Sequence, residues 1–209
     1  MNPVKQKVEQ PAQHLEWQDE LILVVKRDQL FQEEQAWHGL KEVNFDNYLK
    51  VINEKKEFLP RGQMELDANY KQIIPYLLFN FEDKYFLMQR QSKSNESRLA
   101  SKYSLGIGGH IRQEDLTSND IIEWSKREFE EEVDYQGNYQ VKPLGILNDD
   151  NSSVGQVHIG FVLLLIGDSS KIKIKSEHKS GELLTLNECK LYYDKMESWT
   201  QFVFDFIKK

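Results

Sequence analysis

The sequence predicts an α/β fold, in which buried strands are interspersed with amphipathic helices. Residues 21–25 and 157–166 are compact apolar runs that are typical of buried strands. Residues 45–52 carry apolar side chains at positions i, i+3, i+4 and i+7, and residues 196–207 form a second helical stripe. With 209 residues, of which 39% are apolar, the chain can bury one large core, whereas two full domains would be cramped.

The remaining elements follow from local patterns along the chain. Asn119 or Asp120 is the expected N-cap of a helix that runs to about Val133, and Asp120 has the spacing of a capping box with Glu123. Strand-like runs flank this helix on both sides. They are a hairpin at 72–79 and 85–88, a strand interrupted by glycines at 103–110, and strands at 141–147 and 171–175.

The first 65 residues are predicted to be an N-terminal extension, and residues 66–209 the main domain. Residues 1–18 lack an apolar period, so we expect a flexible arm or a short helix of low stability there. The strand and helix that follow are expected to pack on the main domain.

Charge and cysteine content limit the classes of partner. The 27 basic and 34 acidic side chains leave a net charge of −7, which repels DNA and anionic membranes. A single cysteine, Cys189, excludes an internal disulfide and suits a reducing cytoplasm. The apolar segments are shorter than the roughly 20 residues of a membrane helix. We therefore expect a cytoplasmic protein with a small-molecule ligand, no DNA partner and no membrane span, and a homodimer stays open.

Three glutamates are spaced to share one side of the helix that ends near residue 133. Glu128, Glu131 and Glu132 stand at i, i+3 and i+4. Such a run is by itself most often a solvated face, and its like charges destabilise a helix by about 0.2–0.5 kcal/mol per pair. A divalent cation would neutralise them, and carboxylate oxygens suit Mg²⁺ or, alternatively, Mn²⁺.

Neighbouring residues strengthen the interpretation as a metal site. Arg127 lies four residues from both Glu123 and Glu131 and can bind either carboxylate or a phosphate. Gly108 and Gly109 precede the helix and have no side chain to keep a main-chain carbonyl away from a metal. Together they predict a site that is shared between loop and helix.

The segment from Gly109 to Tyr135 resembles the signature of the Nudix hydrolases, which runs glycine, five residues, glutamate, seven residues, then Arg-Glu-apolar-any-Glu-Glu-any-Gly-apolar. The second half matches closely. Three features differ: Asp115 replaces the first glutamate, four extra residues precede Arg127, and Asp134 replaces the late glycine. The whole chain also resembles a bacterial branch of this family that is described as predicted phosphoesterases.

This resemblance implies a Nudix-like α/β/α sandwich with a mixed β-sheet, to which the N-terminal extension is added. It also implies that Glu128, Glu131, Glu132 and the Gly109 carbonyl hold the metal, and that Arg127 positions Glu128. Arg127 and the three glutamates are the expected catalytic residues. The expected reaction is magnesium-dependent hydrolysis of a phosphoanhydride bond in a nucleoside diphosphate that is linked to another moiety.

Phosphate-binding residues are expected around the glycine strand. Arg90, Arg98 and Arg112 can gather phosphates there, although any one of them alone is as readily explained as solvated surface charge. Asp115 is a further candidate for substrate binding. The general base stays open between the helix glutamates and an acid from a later loop, such as Glu177 or Glu182.

Two other functions are compatible with a Nudix-like fold. One is a nucleotide-binding sensor or partner module, which the three intact glutamates disfavour. The other is an isoprenoid diphosphate isomerase, whose catalytic cysteine is expected near the glycine strand, whereas Cys189 lies far downstream. His158, inside an apolar run, is interpreted as a hydrogen-bonded core residue.

Overall fold

The structure is a computed structural model that describes residues 20–91, 101–115, 121–175 and 178–209. Within these ranges the chain forms twelve strands and seven α-helices. The strands are β1 (Leu21–Lys26), β2 (Gly39–Lys41), β3 (Glu57–Pro60), β4 (Tyr70–Phe81), β5 (Lys84–Arg90), β6 (Tyr103–Ser104), β7 (Gly106–Gly108), β8 (Val133–Tyr135), β9 (Tyr139–Asn148), β10 (His158–Gly167), β11 (Ile172–Ile174) and β12 (His178–Thr185). The helices are α1 (Arg27–Leu30), α2 (Phe45–Lys55), α3 (Arg61–Met64), α4 (Ile121–Glu132), α5 (Ser153–Val157), α6 (Leu186–Cys189) and α7 (Ser198–Ile207).

Ten strands form one mixed sheet around the long strand β4. Its main path has the order β12-β5-β4-β10-β9-β2, and β1 and β7 pair with β4 as well. Strand β4 is parallel to β10, from the pair Gln72 and His158 to the pair Asn80 and Ile166. The other pairings in this sheet are antiparallel. Strands β8 and β11 form a separate two-stranded sheet.

The two faces of the sheet are covered by different helices because side chains alternate along each strand. Leu77 of β4 packs in a core cluster with Phe129 of α4. The next residue, Leu78, packs in a second cluster with Val203 of α7. The predicted α/β/α sandwich with a mixed sheet is therefore confirmed.

The predicted elements are present, with shifted ends. Helix α4 ends at Glu132, and Val133 begins β8, where it pairs with Ile174. Val157 closes the short helix α5 instead of starting β10. The glycine strand is two strands, β6 and β7, that pair with different partners. The expected N-caps Asn119 and Asp120, and the arm at 1–18, lie outside the described residues, and the division at residue 65 stays a prediction.

A partly buried ion pair joins β4 to the loop between β9 and α5. The Lys71 side chain is fully buried, and its Nζ lies 2.9 Å from Asp150 Oδ1 and donates to the Gly155 carbonyl. Arg27 binds the same carboxylate with both terminal nitrogens. Burial lowers the pKa of Lys71. Burial would raise the pKa of Asp150, but the hydrogen bonds from Arg27 and Lys71 hold it well below its usual range.

We expect Asp150→Asn to lower the free energy of unfolding by about 3 kcal/mol, because Lys71 would keep a buried charge without its counter-charge. Urea unfolding at neutral pH measures this difference. Asp28→Asn is the matched control, since it removes the same charge from an exposed position on α1. Equal unfolding midpoints for wild type and Asp150→Asn would contradict the stabilising role of the pair.

The stability difference between wild type and Asp150→Asn should depend on pH. A carboxyl whose pKa is lowered in the folded state stabilises the fold above its unfolded pKa of about 3.9. This contribution is lost as the pH falls through the folded pKa. The stability difference between wild type and Asp150→Asn should therefore be constant near neutral pH and shrink in acid, as unfolding curves at several pH values would measure. A difference that persists unchanged in strong acid would be inconsistent with this sign.

Candidate active site

A cavity of about 880 Å³ lies beside helix α4, the end of β7 and the start of α7. Arg127, Glu128, Glu131 and Glu132 line it, and so does Gly109. These five residues are the predicted catalytic and metal-binding set, and the structure brings them around one space. Their roles in catalysis and metal binding stay predictions.

The orientation of α4 follows from its apolar face. Trp124 and Phe129 are buried in the core, where the Phe129 ring stacks on Phe79 with centroids 5.8 Å apart. Because the glutamates lie elsewhere around the helix, burial of this face turns Glu128 and Glu132 towards the cavity. Core packing of the apolar face therefore fixes the direction of the side of α4 that carries Glu128, Glu131 and Glu132, which we call the carboxylate sector.

Gly109 allows the Glu128 carboxylate to lie against the main chain. A Cβ atom at position 109 would stand 2.2 Å from Glu128 Oε1 and 2.8 Å from Glu128 Cδ, so any side chain there would have to displace this carboxylate. This arrangement places a carboxylate and a main-chain peptide in the same cradle. Such a cradle suits a divalent metal that prefers hard oxygen ligands. The Gly109 carbonyl would be one of these ligands.

Asp115 joins two arginines at the edge of the site. Arg112 binds its carboxylate with two hydrogen bonds of 2.7 and 3.0 Å, and Arg127 Nη2 lies 2.9 Å from it. Burial would raise the pKa of Asp115, but these two arginines lower it overall. Arg127 also donates to Glu131 across 2.7 Å. Asp115 therefore anchors the arginine that holds Glu131.

Two of the predicted phosphate-binding arginines line the cavity, and both are ion-paired. Arg112 binds Asp115, as described, and Arg90 donates from Nε to the buried carboxylate of Glu197. Arg98 lies outside the described residues. The alternative base Glu177 also lies outside them, and Glu182 on the edge strand β12 is not among the described residues that line the cavity.

The cavity wall also contains two histidines that the sequence analysis did not bring together. His158 is buried and hydrogen-bonded, as predicted, but it faces the cavity, and its Nε2 lies 3.3 Å from His110 Nε2. Burial, together with Arg61 and His158, lowers the pKa of His110 well below its usual value. Only the strand pairing could have indicated this contact, because the two residues are 48 positions apart.

Cys189 is buried away from the site. Its side chain is inaccessible and packs with Leu87 and Leu105, and its thiol faces the Leu184 carbonyl. Burial raises the pKa of this thiol to about 11. A nucleophilic or acid–base role for Cys189, as an isomerase would need, is therefore disfavoured.

Comparison with known proteins places the chain in a family. No protein-family model matches it. The protein YmaB of Bacillus subtilis strain 168 is 32% identical over 202 residues, which cover 91% of this chain and 98% of YmaB. The crystal structure of Tm1382, a protein assigned to the Nudix hydrolases, is 30% identical, covers 90% of this chain and 98% of its own, and superposes with a TM-score of 0.77. The chain belongs to the Nudix hydrolases.

More distant Nudix structures share the fold. The Nudix domain of Shewanella oneidensis NrtR, solved in complex with ADP ribose, is 10% identical with a TM-score of 0.52 and covers 66% of this chain and 86% of its own. The match to Tm1382 confirms the resemblance that was read from the signature and identifies this chain as a Nudix-type hydrolase. In the described part of this Nudix hydrolase, no helix is long and apolar enough to cross a membrane.

We expect Gly109→Ala to weaken Mn²⁺ binding by about tenfold or more, because the new Cβ displaces the Glu128 carboxylate. Isothermal titration calorimetry measures this affinity. Gly108→Ala is the neighbouring control. Its Cβ would lie 3.1 Å from the Pro75 carbonyl oxygen and 3.2 Å from Ile74 Cγ2, and Glu128 is not among its nearest contacts. Equal Mn²⁺ affinity in Gly109→Ala and wild type would show that the cradle does not hold the metal.

Proposed function

We propose that this Nudix hydrolase cleaves, with Mg²⁺, a phosphoanhydride bond in a nucleoside diphosphate that is linked to another moiety. The observation that carries the proposal is the combination of Glu128, Glu131, Glu132 and the Gly109 main chain on the wall of one large cavity. Carboxylate and carbonyl oxygens favour Mg²⁺, with Mn²⁺ as the alternative. When bound, the divalent ion supplies positive charge that neutralises phosphate oxygens in the transition state.

The residues around the glutamates have separate tasks in this proposal. Arg127 orients Glu131 through its 2.7 Å hydrogen bond and is itself held by Asp115. Arg90 and Arg112 can bind phosphate oxygens by exchanging their present carboxylate partners, since guanidinium groups bind carboxylates and phosphates alike. One of the helix glutamates would act as general base for the attacking water.

An apolar wall completes the cavity. Trp199 of α7 lines it, and its ring packs edge-on against Tyr76 with centroids 5.7 Å apart. An indole face of this kind can stack on a nucleobase. Because the chain carries a net charge of −7, the arginines that line the same cavity are the local positive charge that a diphosphate requires. The ADP ribose bound by the NrtR domain supports a ligand of this class.

A nucleotide-binding sensor is the main alternative, and turnover separates it from the hydrolase. The experiment is a screen of nucleotide sugars, dinucleoside polyphosphates, dinucleotides and nucleoside triphosphates with Mg²⁺ or Mn²⁺. We expect metal-dependent release of a nucleotide from one of these classes. Tight binding of such a compound without turnover under either metal would favour the sensor. The cytoplasmic location and a homodimer stay predictions that this screen does not address.

Glu131→Gln and Glu132→Gln should each lower Mg²⁺-dependent turnover by about 100-fold or more, the range of single groups that stabilise transition-state charge. Steady-state kinetics on the substrate found in the screen measures this loss, and thermal unfolding checks that the fold persists. Glu130→Gln is the matched control, because Glu130 is exposed and lies outside the carboxylate sector. Unchanged turnover in both Glu131→Gln and Glu132→Gln would contradict the assignment of these glutamates to catalysis.

A further inference from the structure

A second group of metal-ligating side chains lies next to the carboxylate site. Glu65, His110 and His158 each offer a ligand atom, and these atoms all lie within 4.8 Å of one another. Glu65 directly follows helix α3, His110 lies two residues after β7, and His158 opens β10. Both histidines line the cavity that the α4 glutamates also line. This group therefore shares no ligand with the α4 glutamates, but its two histidines line the same cavity.

Strand pairing sets the positions of these donors. His158 stands opposite Gln72 in the parallel register of β10 and β4. Gln72 Oε1 lies 2.7 Å from His110 Nε2, and that nitrogen lies 3.3 Å from His158 Nε2. Gln72 and His158 thus lie on paired strands, and His110 lies two residues beyond the end of β7, which also pairs with β4.

Hydrogen bonding assigns the tautomer of His158. Its Nδ1 lies 2.7 Å from the Val154 carbonyl, which can only accept, so Nδ1 carries the proton. The Nε2 atom of the neutral ring then holds a lone pair, and this lone pair faces His110. By the same argument His110 Nε2 carries the proton that it donates to Gln72 Oε1 across 2.7 Å, and a metal ion at this nitrogen would replace that proton. Donation from one ring nitrogen to a main-chain carbonyl is the usual support of a metal-binding histidine.

The spacing of the two histidines matches a small transition metal ion. With metal–nitrogen bonds of about 2.1 Å, nitrogens 3.3 Å apart subtend an angle of about 104° at the ion, close to a tetrahedral value. The Glu65 carboxylate is a quarter exposed and is joined to Arg61 by a contact of 3.5 Å.

We propose that Glu65, His110 and His158 form a binding site for Zn²⁺ or a similar divalent transition ion. Nitrogen ligands favour such ions, whereas the oxygen-only set on α4 favours Mg²⁺. The two sites therefore select different metals. An ion between the histidines places a second positive charge on the cavity wall, whether or not the chain hydrolyses a diphosphate.

The test uses Co²⁺ as a coloured substitute for Zn²⁺. Metal-stripped protein is titrated with Co²⁺ in excess Mg²⁺, which occupies the carboxylate site. We expect saturable visible absorption of a four- or five-coordinate ion in wild type, and at least about tenfold weaker Co²⁺ binding in His158→Gln and in His110→Gln. His38→Gln is the matched control, since His38 is an exposed histidine beside Asp149.

A second measurement guards against misfolding of the histidine variants. Zn²⁺ should raise the melting temperature of wild type and of Glu131→Gln, but not that of Glu65→Gln, which leaves both histidines in place. Absence of cobalt absorption in wild type would overturn the proposal. Absorption that survives in both histidine variants, or that disappears in Glu131→Gln, would also overturn it.

Discussion

The parallel pairing of β4 with β10 is the constraint on which the rest of this structure depends. It runs through nine registered positions in the middle of the sheet. On its other edge β4 pairs with β7, so that Gly109 and His110 emerge beside the start of β10. Helix α4 packs over the same region through Phe129. Residues that are far apart in sequence meet in one cavity because these strands share β4.

The site places charges where the fold alone would not favour them. Glu128, Glu131 and Glu132 repel one another on one side of α4, at a cost of about 0.2–0.5 kcal/mol for each pair. Arg127 offsets part of this repulsion through Glu131, and Asp115 holds Arg127 in position. A divalent cation would offset the rest. Binding of the ion and order at this end of the helix are therefore linked in our account.

The glutamate site on α4 could be predicted from sequence because it depends on spacing within one helix. The contacts that depend on tertiary structure could not be predicted. The i, i+3 and i+4 positions of the glutamates are a property of any helix, so their shared side could be predicted. The bond between Asp115 and Arg127 depends on how a loop folds back. The pair His110 and His158 depends on strand register, which no local pattern encodes. Helix α4 ends at Glu132, next to the predicted end at about Val133, and Val133 itself pairs with Ile174 of β11.

Anomalous diffraction from crystals grown with Mn²⁺ tests the central claim most directly. Our account predicts an anomalous peak among the carboxylates of Glu128, Glu131 and Glu132 and the Gly109 carbonyl, at oxygen distances of about 2.2 Å. A manganese peak elsewhere in an active crystal, with these oxygens bound to protein or solvent alone, would contradict the account.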